Sequence, residues 1–168
     1  MILITPAIDF RVRYSTGRLE SIGTTALAQV DEIDLDRFRS KLMDKLGWSS
    51  ELCEDVEDRY RMFLALMLLY PGKDIVPTPE IDEFWHAHIL DTVAYHRDCD
   101  LLFGSYQHHA PSFPDDAPEE EEKLRVGSDV TRQLYLVHFG VEPWFDAEIC
   151  NCQDETSGDK AQSLPAAQ

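Results

Sequence analysis

A mainly α-helical single domain is the fold class this sequence predicts, and three observations carry the prediction. Apolar residues recur at steps of three and four over much of residues 34–140, which is the period of an amphipathic helix. Capping Thr or Asp residues beside Pro stand where the later periods begin, and Gly stands where they end. The chain has 168 residues, 43% of them hydrophobic, enough for one core of the kind that serves about 100–200 residues. The expectation is a bundle of about four to five helices with an extended or short-strand N-terminal arm.

Residues 1–33 are expected to form that arm, because Ile8-Asp9-Phe10-Arg11-Val12-Arg13-Tyr14 alternates apolar and polar side chains. From Asp34 the period changes, and Leu35, Phe38, Leu42 and Leu46 predict a first helix that Gly47 stops. A second is expected from about Ser50 to Tyr70. Its first turns carry Glu51, Glu54 and Asp55, which complement the positive end of the helix dipole. Residues 62–69 are apolar all round, the mark of a helix covered on several sides, and Pro71-Gly72 ends it. Thr78 caps a third helix with Pro79 at its first position, and this one is expected to run from Ile81 through Arg97, at most to Phe103, with Gly104 beyond. Asp116 and Pro118 open a fourth, which continues through Leu124, Val130, Leu134 and Val137 to Phe139, with Gly127-Ser128 as a potential break. The helical domain is thus placed at residues 34–150. After Trp144-Phe145 the composition turns polar, and residues 151–168 are expected to form a disordered tail.

Charge narrows the function classes. The 15 Lys and Arg against 32 Asp and Glu leave −17, which argues against nucleic acid and against anionic lipid, both of which need a basic face. Solubility is the simplest role for the acidity. The N-terminus has no basic segment followed by an apolar stretch, and the apolar run at 62–70 is far below the roughly 20 residues of a membrane span. A cytoplasmic location follows as the expectation. In that compartment Cys53, Cys99, Cys150 and Cys152 read as free thiols. Cys150-Asn151-Cys152 could hold a soft metal or form a redox couple, but it stands at the start of the polar tail.

The histidines carry the chemistry. All six lie between positions 86 and 138, and five of them within 86–109. Histidine is the commonest biological metal ligand, and carboxylates and a thiol stand nearby. Helical geometry divides the segment 82–109, because at about 100° per residue His86 and His88 point some 200° apart. One possible site joins Asp82 and His86, one turn apart, with His108 or His109 closing it. The other turns His88 and Cys99 inward with Tyr95, and a loop histidine reaches them. His108 and His109 face opposite ways in an extended loop, so only one is expected at a site. The plainer alternative is a packed histidine core, with His88 and Asp91 as an ordinary helical pair and His96 and His138 as peripheral or packing residues.

The run Pro77-Thr78-Pro79-Glu80-Ile81-Asp82-Glu83-Phe84-Trp85-His86-Ala87-His88, followed by Tyr95, Asp98-Cys99, Gly104 and His108-His109, resembles the glycine-rich domain-containing protein-like family. The resemblance covers roughly residues 55–112 and implies a mostly helical domain. Carried over residue by residue, Asp82, Trp85, His86, His88, Tyr95, Cys99 and His108 occupy the signature positions. The glycine-rich extension of that family's plant members has no counterpart here, since the chain holds 8 Gly in all.

The functional expectation is a small metal-dependent enzyme, hydrolytic or oxidative, acting on a small-molecule or peptide substrate. Zinc or iron would be held by two or three of Asp82, His86, His88, His108 and His109, with a position left open. Tyr95 would serve as an acid or hydrogen-bond donor, and Asp91 or Asp98 would orient a ligand. The alternative is a non-catalytic helical domain for a protein partner, built around Trp85, Tyr95 and a structural metal or packed histidines. A Cys99 nucleophile is a third option with no sign of an activated thiol.

Overall fold

A computed structural model describes residues 16–110 and 117–143 of the chain. Six helices follow one another there: α1 Thr16–Val30, α2 Asp36–Leu46, α3 Ser50–Leu69, α4 Pro79–Ile89, α5 Thr92–Phe103 and α6 Pro118–Phe139. There is no strand among the described residues, and none of these helices is long and apolar enough to cross a membrane.

The central element is α3, against which α1, α2, α4 and α6 all pack. Ser49 starts it by accepting a hydrogen bond from the Leu52 amide. Val56, Tyr60, Phe63, Ala65 and Leu66 along it are fully buried. Each large apolar side chain so buried contributes roughly 1.5–3 kcal/mol, which makes this helix the main source of cohesion. On α2, Phe38 and Leu42 face the core, and Gly47 closes the helix at φ 68°, a left-handed conformation that costs glycine little. Thr78 accepts from the Ile81 amide and Pro79 opens α4.

Three departures from the sequence reading each have a local cause. Residues 16–30 form a helix instead of part of an extended arm. Its inner stripe is Gly23, Ala26 and Val30, with Leu19 and Leu27 half-buried, and small residues there give a weak helical signal. The stripe suits a close crossing. A Cβ on Gly23 would lie 2.8 Å from the Cβ and the carbonyl oxygen of His138. The expected third helix is two helices, because Asp91 leaves the helical conformation (φ −90°, ψ 75°) and accepts a hydrogen bond from the Ala94 amide to start α5. The potential break at Gly127-Ser128 does not occur. Gly127 lies buried in α6, where a Cβ would meet Val76 at 2.7 Å, and Thr131 accepts from the Val76 amide. The strand expected at 8–14, the Asp116 cap, Trp144-Phe145, Cys150, Cys152 and the tail lie outside the described residues.

A buried charged group ties three helices together. Glu57, 6% exposed, takes two donors from Arg61 on one oxygen, at 2.7 and 3.1 Å. Its other oxygen is 3.1 Å from Arg39 Nε, close enough for an ion pair but misaligned for a hydrogen bond. Arg61 also donates to the carbonyl of Val30, the last residue of α1, which accepts from the Ile33 amide as well, and to the carbonyl of Ile33 just beyond the helix. On the far side His138 donates from Nδ1 to the Leu19 carbonyl and accepts from the Tyr70 hydroxyl at Nε2, linking α6 to α1 and to the end of α3. So His138 is a packing residue.

Candidate metal centre

Asp82 sits one turn into α4, and His86 follows one turn later on the same face. Their nearest polar atoms, Asp82 Oδ2 and His86 Nδ1, are 3.7 Å apart. The loop after α5 brings His109 to the same place, where its Nε2 donates to Asp82 Oδ1 at 2.8 Å. One ligand atom from each of these three residues lies within 4.8 Å of the others. The His109 ring is wedged between neighbours: its centroid is 4.7 Å from that of His86 and 4.6 Å from that of Trp85. His86 is 42% exposed and His109 15%, so the outer side of the group faces water and the inner side rests on indole.

His109 arrives there through a chain of buried hydrogen bonds. Trp85 Nε1 donates to the Tyr95 hydroxyl at 3.0 Å, and that hydroxyl donates to the carbonyl of Gln107 at 2.7 Å. Tyr95 is 2% exposed, and burial pushes its phenol well above the ordinary range. Its proton is committed to a backbone carbonyl, which does not suit the acid role expected for it.

His88 belongs to a different and wholly buried group. Tyr60 donates to Nδ1 at 2.9 Å, and Nε2 donates to Asp98 Oδ2 at 3.1 Å. Both ring nitrogens are thereby taken, and the residue is 1% exposed, so His88 is not available to a metal shared with His86. Burial holds the imidazole below its usual range, against the pull of Asp98 in the opposite direction. Asp98 is in turn gripped by Arg97 at 2.8 Å. Tyr95 does stand edge-on to His88, with centroids 5.0 Å apart, yet Asp98 and Tyr60 are its polar partners and no loop histidine is.

The other expected site residues go elsewhere. His108 is exposed and lies against Tyr106, with centroids 4.9 Å apart, so it is not with Asp82. Asp91 caps α5 and pairs with Arg37, which makes it a structural residue here and not a partner of His88. Cys99 is buried, and burial raises its thiol, the opposite of an activated nucleophile. His96 pairs with Asp100 on the surface. The sequence reading missed Tyr60, which lies on the buried face of α3. The available signal was that a buried tyrosine hydroxyl needs a partner.

Comparison with known proteins adds a family. Residues 28–125 match the family described as UCP032817-like, a span of more than half the chain. The chain belongs to the UCP032817-like family. This overturns the resemblance to the glycine-rich domain-containing protein-like family, which rested on the order of a few residues around Trp85-His86-Ala87-His88. The matched span of the UCP032817-like family holds Asp82, His86, His109 and the buried His88 group. No curated protein and no solved structure matches the chain.

Proposed function

We propose that this UCP032817-like protein is a divalent-metal protein whose ligands are Asp82, His86 and His109, and that the metal serves a hydrolytic or oxidative reaction. The observation that carries this reading is the convergence of three donors from α4 and a loop, 27 residues apart in the chain, on one half-open point. Two imidazoles and one carboxylate suit zinc or ferrous iron, each about 2.0–2.2 Å from its ligands. Such an ion would supply Lewis acidity toward water or a small-molecule or peptide substrate on the exposed side. The Asp82–His109 hydrogen bond must yield to it: ligation through His109 Nε2 requires that nitrogen to give up its proton, for example to Nδ1.

Metal titration by calorimetry, with elemental analysis of protein loaded and then dialysed, tests the proposal. One ion per chain is expected for the native protein, with a loss of 10-fold or more in affinity for His86→Ala, Asp82→Asn and His109→Ala. Absence of stoichiometric zinc or ferrous iron, or equal uptake by all four proteins, would sink it.

A second reading, a non-catalytic helical domain that binds a protein partner, is favoured by a different observation. Leu90, Val93 and Leu101 are 68%, 81% and 58% exposed on the outer side of α5 and the turn before it. Unchanged metal affinity with loss of a bound partner in Val93→Asp would favour it.

A further inference from the structure

We infer that Tyr95 is the positioning residue for His109, and that without its hydroxyl the metal centre has two ligands instead of three. The inference rests on the metal reading above. Asp82 and His86 are held by the helix itself, since both stand on one face of α4. His109 has no such support. It follows the end of α5, where Gly104 adopts φ 67° and the chain continues without secondary structure through residue 110.

Tyr95 anchors that loop backbone at the Gln107 carbonyl, two residues before His109, which its hydroxyl holds at 2.7 Å, and the Gln107 backbone also bonds the Cys99 thiol. Tyr95 is itself fixed from two sides: it stands on α5, and its oxygen accepts from the indole of Trp85 on α4 at 3.0 Å. The same indole forms the wall that the His109 ring rests on. Trp85 precedes His86 in the chain, so one residue next to a ligand supports the other ligand from beneath. Removing the hydroxyl leaves a buried indole N–H and a loop carbonyl without their shared partner, and the loop loses that hold on its backbone beside His109. Partners of this kind behind the ligands are typically worth about 10–100-fold in metal affinity.

The test compares native protein, Tyr95→Phe and His109→Ala, each titrated with Co²⁺ as a spectroscopic stand-in for zinc. The visible band of Co²⁺ reports ligand number, which a merely structural role for the hydroxyl would not change. Tyr95→Phe is expected to bind about 10–100-fold more weakly than the native chain, with a spectrum like that of His109→Ala. Leu134→Ala, in the core on α6, controls for stability and is expected to keep the native spectrum at a similar loss of melting temperature. A native spectrum and affinity in Tyr95→Phe overturns the positioning role and leaves the metal centre standing. Native protein that binds no Co²⁺ overturns the metal reading and with it the three-ligand statement. A metal-free readout then still judges the anchor: the ¹⁵N resonances of His109 should lose their hydrogen-bonded signature in Tyr95→Phe, and unchanged resonances refute it. Should Tyr95→Phe not fold, Trp85→Phe attacks the same anchor from α4. A shift of its Co²⁺ spectrum towards that of His109→Ala supports the inference, and a native spectrum refutes it.

Discussion

At the residue scale, the protein uses histidine in three ways, and the neighbours decide which. His109 meets a carboxylate at a half-open surface, His88 meets a carboxylate and a phenol inside the core, and His138 meets a phenol and a carbonyl. Tautomer follows from partner: His88 must donate from Nε2 to Asp98 and accept at Nδ1 from Tyr60, and that is the neutral ring. A pH dependence follows. The folded state holds His88 below the ordinary 6.5, so below that pH the unfolded chain binds a proton that the folded chain refuses. Stability due to His88 is therefore present above about 6.5 and declines as the pH falls toward the lowered folded value, by at most about 1.4 kcal/mol per pH unit. Urea denaturation between pH 7.5 and 5 should show that slope in the native chain and a shallower one in His88→Gln. Equal slopes would show that His88 does not titrate in this way. The sequence marked the histidine segment as special but could not sort its members. Sorting needed Tyr60 and Asp98, which lie 28 and 10 residues from His88.

At the scale of the element, the legible helices were those with caps or a wide apolar face. Ser50–Leu69 and Pro79–Ile89 begin within a residue or two of where their start signals stand, and α2 ends at Gly47. The helix α1 was illegible for the reason that makes it pack closely: its buried stripe is small, so it offers no strong apolar period. That closeness predicts an inverted propensity effect. Gly→Ala inside a helix normally gains about 1 kcal/mol. At Gly23, however, a methyl would press within 2.8 Å of the Cβ and the carbonyl oxygen of His138, so α1 must move away from α6. Overpacking of this kind costs about 1–3 kcal/mol, and Gly23→Ala is expected to lower stability by about 1 kcal/mol net. A higher melting temperature in that variant would mean that the crossing is looser than described. The split between α4 and α5 teaches a related lesson. Asp91 carries a cap signal, but the apolar period continues through it, and the period alone does not reveal the break.

For the whole molecule, the charge of −17 conceals an uneven distribution. Glu51, Glu54 and Asp58 line the outer side of α3, and Glu119–Glu122 stand exposed at the start of α6, so most of this acid is solvated. Asp98, sealed beside His88, is one exception, and Glu57 is another. It lies inward among Arg39 and Arg61, and Arg61 also donates to the carbonyls of Val30, at the end of α1, and of Ile33. One charged group thus joins α1, α2 and α3. Arg61→Met should destabilise the chain by about 3 kcal/mol, because it leaves the buried Glu57 carboxylate with Arg39 alone and takes a donor from the Val30 and Ile33 carbonyls. Replacing Glu57 by Gln in the same chain should recover part of that loss, since a neutral amide needs no counter-charge. Equilibrium unfolding in urea measures both, and a single-variant loss below about 0.5 kcal/mol, the range of ordinary surface changes, would refute the role.

What the sequence by itself determined is the local part: the helical class, most helix ends, the inward face of α3, and the pairing of Asp82 with His86 across one helical turn. These depend on periods and caps that act over about four residues, and such signals are written in neighbouring positions. Tertiary structure alone decided which histidine joins Asp82, that His88 is sealed between Tyr60 and Asp98, and that residues 16–30 pack as a helix. Each of those outcomes depends on groups brought together from distant parts of the chain. Burial and hydrogen bonding at such meetings are set by the fold and by nothing local to either partner.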